Sequence, residues 1–76
     1  MKLRIRDLRE DNDLYQRNIA EYLNCTQQTY SRYETGDLEP SLPVMAKLAE
    51  FYNTSVDFLM GLTDVREPYK HSTKNK

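Results

Sequence analysis

An all-α domain of five short helices is the fold class that this 76-residue chain predicts, and three observations predict it. Apolar residues recur at spacings of three and four, as in Ile19, Ala20 and Leu23, or in Leu42, Met45, Leu48, Ala49 and Tyr52. Helix-stop and helix-start residues separate those stretches at Asn12-Asp13, Asn24-Cys25-Thr26, Gly36 to Ser41 and Asn53 to Ser55. Length sets the scale, because a chain of this size buries only roughly 60–65% of the surface its unfolded form exposes. That allows one core of short helices and leaves no room for a second domain or a deep substrate cavity.

The first helix is expected over about 2–11, carried by Leu3, Ile5 and Leu8, with Asn12 as a left-handed stop. Residues 16–23 form the second, with Ile19, Ala20 and Leu23 on one face. Thr26 is a good N-cap for a third helix over about 27–34, where Tyr30 and Tyr33 share the buried face with their hydroxyls near the surface. Gly36 follows, able to take a left-handed conformation without steric cost. Ser41 caps a fourth helix running to Asn53, with Pro43 tolerated because a first-turn N–H has no partner to lose. Ser55 and Asp57 start a fifth helix through about Met60, with Val56 and Leu59 inward. The folded domain is thus expected over 1–62. Residues 63–76 form a polar, basic, flexible tail without apolar periodicity.

Composition excludes several function classes. A single Cys25 rules out an internal disulfide, and with the lone His71 it leaves no metal-ligand set, so no metal or cofactor is expected. Cys25 reads as a small buried hydrophobe rather than a redox sensor. Apolar runs such as Phe58 to Met60 are far too short to cross a membrane, and Met1 to Arg6 lacks a signal-peptide core, making the cytoplasm the expected compartment. No nucleophile–base pair or glycine-rich phosphate loop is present, which argues against an enzyme, and no small-molecule ligand is evident. The net charge is −1, but it is unevenly spread. Residues 1–10 carry a net +2, residues 34–64 a net −5 and residues 65–76 a net +3. Such asymmetry can create a local positive face on a near-neutral molecule, or simply a solvated mixed surface.

Two short helices joined by Asn24-Cys25-Thr26 have the length of a helix-turn-helix unit. The turn makes the start of the later helix protrude, and there stand Gln27, Gln28 and Thr29, with Ser31 and Arg32 further along. A glutamine amide matches the donor–acceptor pair on an adenine edge, and arginine can bind guanine or phosphate. Alone, such a face fits an ordinary polar surface as well as a base-reading one.

Taken in order, Leu14-Tyr15-Gln16, Ile19-Ala20-Glu21-Tyr22-Leu23, Tyr30-Ser31-Arg32-Tyr33-Glu34-Thr35-Gly36, Glu39-Pro40-Ser41-Leu42 and Leu48-Ala49 resemble the Cro/C1-type (XRE-like) helix-turn-helix family. Val56-Asp57-Phe58-Leu59-Met60-Gly61 is similar to its closing helix, and Thr26-Gln27-Gln28-Thr29 to the recognition-helix start of a lambdoid phage repressor. The resemblance covers about residues 2–62. It implies a five-helix, sequence-specific transcriptional regulator, a repressor, that binds palindromic double-stranded DNA as a homodimer, with half-sites about 34–36 Å apart.

Residue by residue, the resemblance implies that Gln16 contacts the DNA backbone and that Gln27 and Gln28 read base edges. Thr26 caps the recognition helix and touches phosphate, and Arg32 reaches base or phosphate. Arg17 belongs to the same face, with a solvated charge as its plainer reading. Arg9 and Glu34 resemble a family ion pair between the first and third helices. Tyr15 departs from the usual Ser or Thr, so the second helix lacks its ordinary cap. Phe58, Met60 and Leu62 interleave with the inward Val56 and Leu59, and as outward apolar groups they form the expected dimer interface. The acidic stretch 34–64 supports an alternative, a protein-interaction module such as an antitoxin or adaptor that keeps the fold without strong DNA binding.

Overall fold

The computed structural model describes residues 3–68 and places five helices in chain order: α1 (Ile5–Asp11), α2 (Gln16–Leu23), α3 (Gln27–Thr35), α4 (Leu42–Phe51) and α5 (Val56–Leu59). No strand occurs among the described residues. The core is the set of apolar side chains that helical spacing brings to one side of each helix. Ile5, Ile19, Tyr30, Leu48 and Leu59 are fully buried at its centre, with Leu8, Ala20, Leu23, Met45, Ala49 and Tyr52 around them.

Caps fix most of the boundaries. Thr26, Ser41 and Ser55 each accept a hydrogen bond from a first-turn N–H of α3, α4 and α5, satisfying donors that no helical carbonyl reaches. Gly36 closes α3 at φ 87° and Asn24 closes α2 at φ 59°. Four expectations are corrected. The first helix begins at Ile5 rather than residue 2: the Arg4 N–H is drawn to the Leu59 carbonyl at 2.9 Å, and Leu3 packs into the core ahead of the helix. Asn12 is not the left-handed stop: it lies at φ −99°, its side-chain amide donates to the Leu8 carbonyl, and Asp13 takes the left-handed position at φ 56°. Leu42 is 78% exposed, since it is the first residue of α4 and stands beyond the layer that packs. Tyr30 buries its hydroxyl together with its ring.

The missing cap of α2 is replaced from inside the helix. The Asn18 side-chain carbonyl accepts from the Tyr15 N–H at 2.8 Å, holding the entry without any acceptor on Tyr15. Beyond α5, Gly61 turns the chain at φ 77°. Residues 63–68 then return along the domain: Asp64 pairs with Arg4 at 3.0 Å, and the buried Thr54 hydroxyl donates to the Arg66 carbonyl. The remainder of the expected basic tail, including His71, lies outside the described residues.

Candidate nucleic-acid interface

The turn between α2 and α3 is built from the backbone. The Cys25 N–H reaches back to the Ala20 carbonyl at 3.0 Å while Asn24 adopts the left-handed conformation. Cys25 packs its half-buried side chain against the core, and burial pushes its thiol pKa up, away from the reactive thiolate. Immediately after it, the Thr26 hydroxyl accepts from the Thr29 N–H at 3.1 Å and donates to the Thr29 hydroxyl at 2.9 Å. Its work in the fold is therefore capping.

From that cap α3 presents two faces. Tyr30 and Glu34 are buried; Gln27, Gln28 and Arg32 are exposed, and Thr29 and Ser31 are half-buried beside them. The base-reading candidates are thus brought together on one open surface at the start of α3, free of the packing that fixes its other side.

Gln16 stands elsewhere, at the opposite end of the pair of helices. Its amide nitrogen donates to Glu34 Oε1 at 3.0 Å, so its geometry is set by the end of α3. Glu34 is also the acceptor for Arg9, through Nε to Oε2 at 2.6 Å and Nη2 to Oε1 at 3.1 Å, while Arg9 Nη1 donates to the Leu14 carbonyl at 2.9 Å. This bidentate pair joins α1 to α3 and to the loop before α2. Burial works to raise the Glu34 pKa, but the hydrogen bonds led by Arg9 outweigh it and hold the carboxyl below its ordinary value. The Tyr30 and Tyr52 hydroxyls are enclosed close to this carboxylate without closing a well-formed hydrogen bond. Burial and the nearby negative charge push Tyr30 up strongly and Tyr52 up to about 12, so both stay neutral.

Arg17 is exposed, its guanidinium carbon 5.0 Å from the centroid of the Tyr15 ring. The α1 side chain Arg6 and the α3 terminal residue Thr35 join Arg9, Gln16 and Glu34 around an open cleft of about 470 Å³. Neither belongs to the set read from sequence. The available signal was the i, i+3 spacing of Arg6 and Arg9, which puts both on one side of α1. Among the residues expected to be outward and apolar, Phe58 and Met60 are half-buried against the core, with the Arg4 guanidinium carbon 4.5 Å from the Phe58 ring centroid. Leu62 is open, at 69% exposure.

Two short helices, a tight turn and a later helix with one open polar face match a known profile. A family described as helix-turn-helix covers residues 5–59. The chain belongs to this helix-turn-helix family. Its relatives include an uncharacterized HTH-type transcriptional regulator of Bacillus subtilis (strain 168), YobD, 35% identical over 86% of this chain and 58% of its own length. The cryptic phage CTXphi transcriptional repressor RstR of Vibrio cholerae is 34% identical over 93% of this chain and 64% of its own length. The chain therefore spans about three fifths of these helix-turn-helix relatives. A crystal structure of a transcriptional regulator from Listeria innocua superimposes with a TM-score of 0.73 at 25% identity, covering 93% of this chain and 68% of that one.

Proposed function

We propose that this chain is a sequence-specific DNA-binding transcriptional regulator, a repressor, acting in the cytoplasm as a homodimer on a palindromic operator. The observation that carries the reading is the two-faced α3. Tyr30 and Glu34 anchor it, while Gln27 and Gln28 project from its capped start with both amide groups unencumbered by the core. In this arrangement α3 enters the major groove, and α2 crosses the backbone beside it. Gln27 and Gln28 then meet base edges. Arg32, Ser31 and Thr29 border them, and Arg17, Gln16 and Thr26 lie toward the sugar-phosphate strand. Repression follows from occupancy of the operator. Dimerisation through the region of Phe58, Met60 and Leu62 supplies the second half-site, with the exposed Leu62 as its leading contact.

The relatives' names support regulation of transcription, and RstR supports repression in particular. The test is selection of bound duplexes from a random pool, followed by binding measurements on the selected site and on a scrambled duplex. A palindromic consensus bound at least a hundredfold more tightly than the scrambled site is the expected result. Equal, weak binding to both would leave the interaction-module alternative as the better account.

A further inference from the structure

The cleft between α1 and the start of α2 is not explained by base reading, because its side chains lie at the far end of α3 from Gln27 and Gln28. Two observations bear on what it can hold. Its floor is already neutralised, since the buried Glu34 carboxylate is met by Arg9 and by the Gln16 amide. Its rim carries Arg6, which among the described residues pairs with Glu10 one turn along α1, at 3.2 Å and with both side chains more than half exposed. Such an i, i+4 surface pair is worth little, about 0.3–0.5 kcal/mol, so Arg6 exchanges it readily for a stronger acceptor.

We propose that Arg6 is a backbone-phosphate ligand of this cleft, and that Glu10 competes with the phosphate for it. The proposal rests on the DNA-binding reading, which lays α2 across the sugar-phosphate strand and so brings that strand to the mouth of the cleft. A phosphate there meets one weakly paired, exposed guanidinium over a neutral floor. Arg9 is the weaker candidate, because three hydrogen bonds hold it within the fold and its charge is balanced by the buried Glu34. Exchange of Glu10 for phosphate also turns an internal acid into a brake on affinity. Glu10 holds Arg6 when no DNA is present and repels the strand when it arrives.

The test uses the full chain, the duplex it selects from a random pool, and an unrelated duplex of equal length. Binding of wild type, Arg6→Gln, Glu10→Gln, the double variant and Arg66→Gln is followed from 50 to 200 mM salt. Losing one phosphate contact makes the salt slope shallower by about 0.9 per subunit. A homodimer loses two such contacts, so the Arg6→Gln deficit should be about twelvefold larger at 50 mM than at 200 mM, and equal on both duplexes. Glu10→Gln should strengthen binding to both duplexes, and most of that gain should vanish when Arg6 is also replaced. Arg66→Gln removes the same charge outside the cleft and should keep the wild-type slope.

An unchanged slope in Arg6→Gln overturns the proposal while leaving DNA binding intact. So does a Glu10→Gln gain of the same size with and without Arg6, which would mark a bulk charge effect. A wild type that binds neither duplex overturns the DNA-binding reading itself, and this proposal with it.

Discussion

Replacing Arg9 by methionine strands the Glu34 carboxylate, whose side chain is only 3% exposed, in the middle of the molecule. Breaking a buried pair from one side costs about 3–5 kcal/mol. Two features place Arg9→Met near the lower end. The Arg9 side chain is itself 13% exposed, and Gln16 continues to donate to Glu34. A loss of about 3 kcal/mol lowers the melting temperature of a domain this small by roughly 12–24 °C. Glu34→Leu should cost less, about 2 kcal/mol, because Arg9 keeps the Leu14 carbonyl and can turn its guanidinium toward water. Replacing both side chains removes the stranded charge, so the double variant should lose only about 2–3 kcal/mol instead of the summed loss of about 5, a coupling energy of about 2–3 kcal/mol.

Urea denaturation of the four proteins at pH 7, followed by circular dichroism, measures the cycle. The same pair has a pH signature. The folded Glu34 pKa lies below its unfolded value, so the pair's contribution is complete above about pH 4.3 and drains away as pH falls through the folded value. Glu34→Gln should flatten that acid limb. Coupling below about 0.5 kcal/mol, with an acid limb unchanged in Glu34→Gln, would refute the reasoning.

Other outcomes follow from the exposed faces. Gln27→Ala and Gln28→Ala should each relax discrimination at one base pair per half-site by about 1–3 kcal/mol, with melting temperature nearly unchanged, as read on a panel of single-base operator variants. Arg32→Ala, if its partner is phosphate, should weaken binding to every duplex alike and reduce the salt slope by about one. Leu62→Glu should weaken self-association in sedimentation while keeping the monomer's stability. Phe58→Glu should lose both, because Phe58 packs on the core beneath Arg4.

Much of the architecture was legible because it depends on local chemistry. Thr26, Ser41 and Ser55 act as N-caps through their own hydroxyls, and the third, fourth and fifth helices start where those residues put them. The Arg9–Glu34 pair was legible only through family resemblance, since nothing in the spacing of residues 9 and 34 brings them together. Misjudged positions are those where distant chain decides. Arg4 leaves the helical pattern because Leu59, 55 positions away, offers its carbonyl. Asn12 against Asp13 turns on whether the Asn12 side chain finds the Leu8 carbonyl, a competition that composition does not rank. The outward reading of Phe58 failed because periodicity cannot see the arginine that lies over its ring. Spacing puts Arg6 on the same side of α1 as Arg9, and it is the fold that brings Gln16, Glu34 and Thr35 to that side.

The segment after α5 gives the domain an anchor point. Thr54 is 4% exposed and its hydroxyl donates to the Arg66 carbonyl, while Asp64 ties Arg4 to the same region. Tension on the chain beyond residue 66 would therefore load Thr54, between α4 and α5, and Arg4, ahead of α1, before it loads any helix. The safe place to cut or fuse this protein lies beyond Arg66, not at the end of the last helix. A chain severed at Leu62 would lose the Thr54–Arg66 hydrogen bond and the Arg4–Asp64 pair together, and would open the Thr54 side chain to water.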